Sequence, residues 1–291
     1  MARDLLEPDS ESAPFLAAAE ERLSMPLRRL MLEGPPAELQ ATDRAQPAIL
    51  FHSLALLELL ERRGAVAAAV AGHSLGEFAG LVAAHGLDPL DALVAVQARG
   101  RAMAAAAPAA TGMAAVLGLD DDTVVRICGE SDAVVPANFN APGQVVISGT
   151  NQGLDRVGVL LQQAGARRVI RLPVSAAFHS PLMEAAADAF RSDWESVHLS
   201  RLDRPQVFNA DGAVHEDPAE VRRLLVAQLT GPVRWTATVL RLQELGVDRF
   251  VEVGPGRTLV GLVKKILPGA VVHNVEDMEG MEAYLRVAHA A

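Results

Sequence analysis

The sequence is short of the residues that mark several protein classes. Among 291 residues there is one cysteine, Cys128, which excludes an internal disulfide framework and suits a reducing compartment. Aromatics make up 4% of the chain while half of it is hydrophobic, so Ala, Leu and Val have to fill the interior. Basic residues are outnumbered: the formal net charge of −10 argues against nucleic acid as a partner, because phosphate neutralisation needs a basic field. There are two lysines, Lys264 and Lys265, against 24 arginines, a bias to which no function attaches. No segment approaches the roughly 20 uninterrupted apolar residues of a membrane span. Met1 to Ser10 is acidic and lacks the apolar region of a signal peptide. A soluble, cytoplasmic protein is expected. With no Cys pair and no H-x-x-x-H spacing, no metal site is expected either. Repeats and low-complexity tracts are missing too.

What the chain does have is Gly72-His73-Ser74-Leu75-Gly76-Glu77, a G-x-S-x-G pentapeptide where an apolar run meets a helical pattern. Val66 to Ala71 reads as a buried strand. Phe78, Leu81 and Val82 recur at helix spacing, and His85-Gly86 stops that helix. Strand, glycine-flanked turn and helix make a nucleophile elbow, which exposes a serine Oγ beside backbone N–H groups.

Around it the sequence alternates. Residues 14–33 read as helix broken at Pro26, and residues 46–62 as an amphipathic helix with Ile49, Leu50, Leu54, Leu57 and Leu60 inward and Pro47 in its first turn. A further helix runs from Asp88-Pro89 to about Met103 and contains Arg99. From residue 111 to 175 the order is strand, helix, strand, strand, helix, strand, the split ferredoxin-like arrangement. Alternating strands and helices resume afterwards, implying a mainly parallel sheet covered on both faces. The expected fold is therefore α/β: a large hydrolase-like body (1–110 and 176–291) with an inserted ferredoxin-like subdomain (111–175).

A serine hydroxyl needs an adjacent base near neutral pH. Of the eight histidines, His52, His85, His198, His215 and His289 read as surface or helix-end residues, and His73 inside the elbow points away from the Oγ. His179 and His273 remain, with Pro173, Phe178 and Pro181 stiffening the loop of His179. No acid stands out as its partner, since Asp120, Asp121 and Asp122 suit a helix cap. A dyad oriented by a backbone carbonyl and a triad both fit.

Taken together, four separated motifs resemble the malonyl-coenzyme A:acyl carrier protein transacylase family, which includes acyltransferase domains of polyketide synthases. They are the elbow, Asn138 to Gly149, Phe178-His179-Ser180, and Val251 to Gly256. Gln46-Pro47-Ala48 and Pro232 to Trp235 fit as well, and the likeness covers essentially the whole chain. The resemblance implies malonyl-CoA and an acyl carrier protein as substrate and partner, no nucleic acid, no membrane and no cofactor of its own, since phosphopantetheine is carried by the partner. It implies Ser74 as the nucleophile and His179 as the base, then acid. It also implies that the Gln228 backbone carbonyl orients the imidazole and that the Leu75 N–H is an oxyanion donor. Arg99 would clamp the malonyl carboxylate, which fits the bidentate geometry of a guanidinium. Phe178 would favour malonyl over a branched homologue, and His73, Asn138 and Gln144 would line the substrate. The alternative for Asn138 and Gln144 is that they hold a turn together.

One departure stands out. Family members begin with a strand and Gly-Gln-Gly-Ser-Gln, whose first glutamine supplies a second oxyanion donor. This sequence starts at what resembles the following helix, so a truncated reading frame or a variant lacking the element is expected, with an exposed sheet edge. Losing one oxyanion donor would cost about 10²–10³ in rate. Two other functions compete with acyl transfer: thioester hydrolysis, against which Arg99 speaks, and a non-catalytic carrier-binding module, against which the retained Ser74, His179 and Arg99 speak. For an acidic carrier, Arg167, Arg168 and Arg171, or Arg222 and Arg223, are the docking candidates, with a solvated face as the alternative.

Overall fold

The structure, a computed structural model, describes residues 3–174 and 176–288. Among them the strands are β1 (Val70–Ala71), β2 (Thr111–Leu117), β3 (Val134–Ala141), β4 (Gln144–Thr150), β5 (Arg168–Arg171), β6 (Gln206–Val207), β7 (Val214–His215), β8 (Arg249–Val253) and β9 (Val271–Val275). They form three sheets of order β1-β6-β7, β3-β4-β2-β5 and β8-β9. With helices between them, the fold is α/β.

One continuous parallel sheet is not what forms among the described residues. β1 runs parallel to β6, and β8 parallel to β9, but β6 and β7 are antiparallel and the two small sheets are separate. The expected strand from Val66 shrinks to Val70–Ala71, and Val66 is 83% exposed. A strand is held by its ladder, and among the described residues the Val66–Ala69 backbone lies alongside no strand partner.

The four-stranded sheet is wholly antiparallel, with Thr111 to Leu117 paired against Thr150 to Gln144. Val116, Val145 and Ile147 meet Val124, Ile127, Leu154 and Leu161 from the helices Asp121–Gly129 and Asn151–Gln163 in a closed apolar core. Asp120 caps the first helix through the Thr123 N–H at 2.8 Å, and Thr150 caps the second through Gly153 at 3.0 Å. Cys128 lies in this core, and burial pushes its thiol up to about 12.

The larger core gathers round the Thr42–Arg62 helix, against which the Pro89–Ala105 helix packs. The Thr42–Arg62 helix starts four residues before the sequence suggests. Arg44 and Ala45 N–H groups already bond to the Ala41 carbonyl, so Pro47 sits in the helix rather than in its first turn. Nearly all of its faces are covered, with Phe51, Ala55, Leu56 and Leu59 buried as well as Leu50, Leu54 and Leu60. His52, expected at the surface, is buried too, its Nε2 2.8 Å from the Glu276 carbonyl. A helix at Met278–Ala288, unforeseen in the sequence, packs Met281 and Leu285 into the same core. His289 lies outside the described residues.

Candidate active site

Ser74 stands between β1 and the helix Gly76–Ala83 with φ of 50°. That left-handed conformation costs a non-glycine residue roughly 1–2 kcal/mol. The turn is tight enough that a Cβ on Gly72 would come within 1.9 Å of the Gly76 carbonyl carbon, so only glycine fits there. Behind the turn, Phe78 meets Trp194 edge-on at 5.5 Å and Phe190 at 6.2 Å, which anchors the elbow helix to the Glu184–Glu195 helix. In front, Ser74 N–H donates to Asn209 Oδ1 at 2.7 Å, and Asn209 Nδ2 donates to the Gly72 carbonyl at 2.8 Å. The strained serine is gripped on both sides.

His179 arrives from the loop preceding the short Pro181–Met183 helix, and it too has positive φ, 56°. Its Nε2 lies 2.8 Å from Ser74 Oγ and its Nδ1 2.8 Å from the Gln228 carbonyl oxygen. A carbonyl only accepts, so Nδ1 carries the proton and donates to it. Nε2 is left with the lone pair facing the serine O–H. Burial is the main reason the imidazole pKa falls to about 3, and the Arg99 charge adds to it. The resting histidine is neutral and free to take a proton. Of the two arrangements the sequence left open, the partner of Nδ1 is a backbone carbonyl and not a carboxylate.

Arg99 is no surface residue: it is 1% exposed, in the middle of the Pro89–Ala105 helix. Nη1 donates to Gln46 Oε1 at 2.6 Å, and Nη2 to Gln228 Oε1 at 3.0 Å and to Ser74 Oγ at 3.1 Å. Among the described residues no acceptor meets Nε, and no carboxylate pairs with the guanidinium. Desolvation lowers its pKa to about 10, opposed by the charge of Glu77. A buried cation held by neutral oxygens, with a donor unspent beside a nucleophile, is a ready site for an anionic oxygen.

The remaining expected residues divide. Leu75 follows Ser74, and among the described residues nothing accepts from its N–H. His73 points away from the Oγ: its Nε2 is 2.8 Å from Asn140 Oδ1 and its ring lies 5.6 Å from Trp235. Phe178 packs on both the large core and the Met113, Ala137 and Val146 cluster of the antiparallel sheet, so it sits at their junction. Asn138 is buried in β3, bridged to Val233. Gln144 is not drawn to the centre, its side chain meeting Lys265 Nζ at 3.5 Å. His273 stays with Tyr284 at 5.5 Å in the β8-β9 region.

Gln46, Glu77 and Asn209 carry polar contacts that sequence reasoning did not single out. Gln46 and Glu77 lie inside motifs named above, but only folding shows that these side chains converge with Asn209. Glu77 is 1% exposed, and its oxygens accept from the Asn209 N–H and from Gln228 Nε2. Burial raises its pKa to about 8 against the pull of those donors and of Arg99.

A nucleophile, a neutral base and a waiting cation within one hydrogen-bonded cluster can form and break an acyl ester. The model of the acyl transferase domain family matches residues 1–282. The chain belongs to that family. It is 39% identical to the malonyl CoA-acyl carrier protein transacylase of Salmonella typhimurium over 274 residues, 92% of this chain and 89% of that one. Among solved structures, an acyl-carrier-protein S-malonyltransferase from Burkholderia pseudomallei superposes with a TM-score of 0.91 at 40% identity, covering 94% and 91% of the two chains. A malonyl-transacylase in complex with its type II PKS acyl-carrier protein gives 0.91 at 38% identity, covering 94% and 90%.

As an acyl transferase, this chain has fewer free arginines than its sequence suggests. Arg222 donates from Nη2 to the Val197 carbonyl at 2.7 Å and lies 5.3 Å over the Trp194 ring, while Arg223 pairs with Glu220 and Arg171 with Asp155. Arg222 is committed to packing. No helix among the described residues is long and apolar enough to cross a membrane.

Proposed function

We infer that this acyl transferase moves a malonyl group from malonyl-CoA to the phosphopantetheine thiol of an acyl carrier protein, by way of an ester on Ser74. The observation that carries the reading is the buried Arg99 guanidinium hydrogen-bonded to the same Oγ that faces His179 Nε2. His179 takes the Ser74 proton as Oγ attacks the thioester carbonyl, and the tetrahedral oxyanion falls to the Leu75 N–H. The C–S bond then breaks, and His179 returns the proton to the leaving thiolate of coenzyme A. The second half runs the other way: His179 removes the proton from the phosphopantetheine thiol, the thiolate attacks the ester, and Ser74 recovers its hydrogen. The Gln228 carbonyl stabilises the imidazolium in both halves.

Arg99 selects the acyl group. Its unspent donors meet the free carboxylate of malonyl and would be left unpaired by acetyl, a loss a buried cation bears poorly. Phe178 closes the space where a branched homologue would carry its methyl, which discriminates by about 1–3 kcal/mol. His73 and Asn138 shape the wall beside the ester, and Gln144 holds the β3–β4 turn. The chain divides into a hydrolase-like body, residues 1–110 and 176–291, and a ferredoxin-like subdomain, 111–175. The strand order β5-β2-β4-β3 of the antiparallel sheet supports that subdomain. We place the protein in the cytoplasm with no cofactor of its own.

Intact mass after brief mixing with malonyl-CoA tests the reading. One malonyl unit should appear on the native chain and none on Ser74→Ala, and added carrier protein should remove it. Release of coenzyme A with no adduct would instead indicate hydrolysis.

A further inference from the structure

We propose that Glu77 is a positioning residue which, by fixing the Gln228 side-chain amide, aims Arg99 at the acyl group. This deepens the malonyl-transfer reading and rests on it. The argument is one of hydrogen-bond direction. Gln228 is fully buried at the end of the Pro218–Ala227 helix. Its Oε1 accepts from Arg99 Nη2 at 3.0 Å, while its Nε2 donates to a Glu77 oxygen and to the Ser74 carbonyl at 3.0 Å. A guanidinium only donates, so the amide has to turn its oxygen to Arg99 and its nitrogen to Glu77. Reversing the amide would set N–H against N–H at the Arg99 end and its oxygen against the Ser74 carbonyl oxygen at the other.

Glu77 holds the opposite end from a fixed base. It is the second residue of the elbow helix, and its other oxygen accepts the Asn209 backbone N–H at 2.5 Å. Asn209 in turn carries the Ser74 N–H on its Oδ1. One buried side chain therefore ties the nucleophile's support to the amide whose oxygen sets the guanidinium. Gln46 Oε1 holds the other nitrogen, Nη1, and the second Nη2 bond goes to Ser74 Oγ, which becomes a weakly accepting ester oxygen on loading; without Gln228 Oε1 the guanidinium of the loaded site is free to pivot about Nη1. Neither Glu77 nor the Gln228 side chain need touch malonyl for the effect to show in selectivity.

The experiment compares loading of Ser74 from malonyl-CoA and from acetyl-CoA, in the native chain, Glu77→Gln and Gln228→Met. Glu77→Gln presents an N–H to Gln228 and favours the reversed amide. Gln228→Met removes the amide while keeping the backbone carbonyl that serves His179. Both variants should lower the malonyl-to-acetyl loading ratio by about 10-fold or more, the size of a lost charge-assisted hydrogen bond. Loading that falls equally for both acyl groups, or does not fall, would overturn the proposal and leave Glu77 a packing residue. If Glu77→Gln fails to fold, Glu77→Asp, which draws the carboxylate back from Gln228 Nε2, is read in its place with the same expected fall in the ratio. A native chain that takes up no malonyl at all would overturn the transfer reading along with this one. Native loading with an unchanged ratio in both variants would overturn only this one.

Discussion

The elbow region and the four-stranded sheet of residues 111–171 bury their side chains for opposite purposes. The sheet's core is Val, Ile, Leu and Ala with one inert cysteine, closed by two capped helices. The elbow buries Gln46, Glu77, Arg99, His179, Asn209 and Gln228 within the same molecule. Buried polar groups lower stability unless each finds a partner, and here nearly all of them do. Both Ser74 and His179 also hold a left-handed backbone, which the sheet's β-strands avoid. The sheet region contributes apolar burial; the elbow region gives up some stability for chemistry.

Substitutions should separate these two roles. In the elbow, Arg99→Ala should cut malonyl loading by about 10²–10³, roughly 3–4 kcal/mol, while acetyl loading falls far less, as initial rates from the two thioesters would measure. Equal losses would mean that Arg99 serves the whole site and not the acyl group. In the sheet, Ile147→Ala empties a fully buried position and should lower unfolding free energy by about 2–4 kcal/mol in urea titration. Malonyl loading by the folded enzyme should change less than threefold, and a larger loss would show the two regions to be coupled.

Acid should weaken the elbow first. Unfolded His179 takes up a proton near 6.5, whereas the folded one resists until about 3. The unfolded state thus binds more protons in that window, and His179's contribution is lost as pH falls through it. Between pH 6.5 and 5 the loss is about 2 kcal/mol. His73, whose pKa burial also lowers, acts in the same direction. His179→Gln should therefore lose less stability than the native chain over that range, and parallel melting curves at the two pH values would deny it. The smallest effect belongs to Gln144→Ala, at the mouth of the sheet. Because that side chain meets only Lys265 among the described residues, loading should stay within about twofold. A greater change would bring the β3–β4 turn into the site.

The sheet was legible before folding and the elbow only in part, for a physical reason. Strand alternation, helix spacing and caps such as Asp120 are local, so the order of elements from 111 to 171 could be read within a few residues. The short parallel strand β1 depends on a partner far along the chain, so Val66 to Ala71 overstates its extent. His52 reads as a surface residue because its partner, the Glu276 carbonyl, lies 224 residues away.

By itself the sequence determined the chemistry: a glycine-flanked serine, a histidine in a stiff loop, an arginine in an apolar helix, and family motifs linking them. Which atoms meet was settled by tertiary structure. Ser74 and His179 lie 105 residues apart, and Gln228 is 129 from Arg99. No local pattern encodes that one buried glutamine presents its carbonyl to the histidine, its amide oxygen to the arginine and its amide nitrogen to Glu77. Hydrogen bonds are directional and short-ranged, so their partners exist only once packing has brought four separate segments to within about 3 Å.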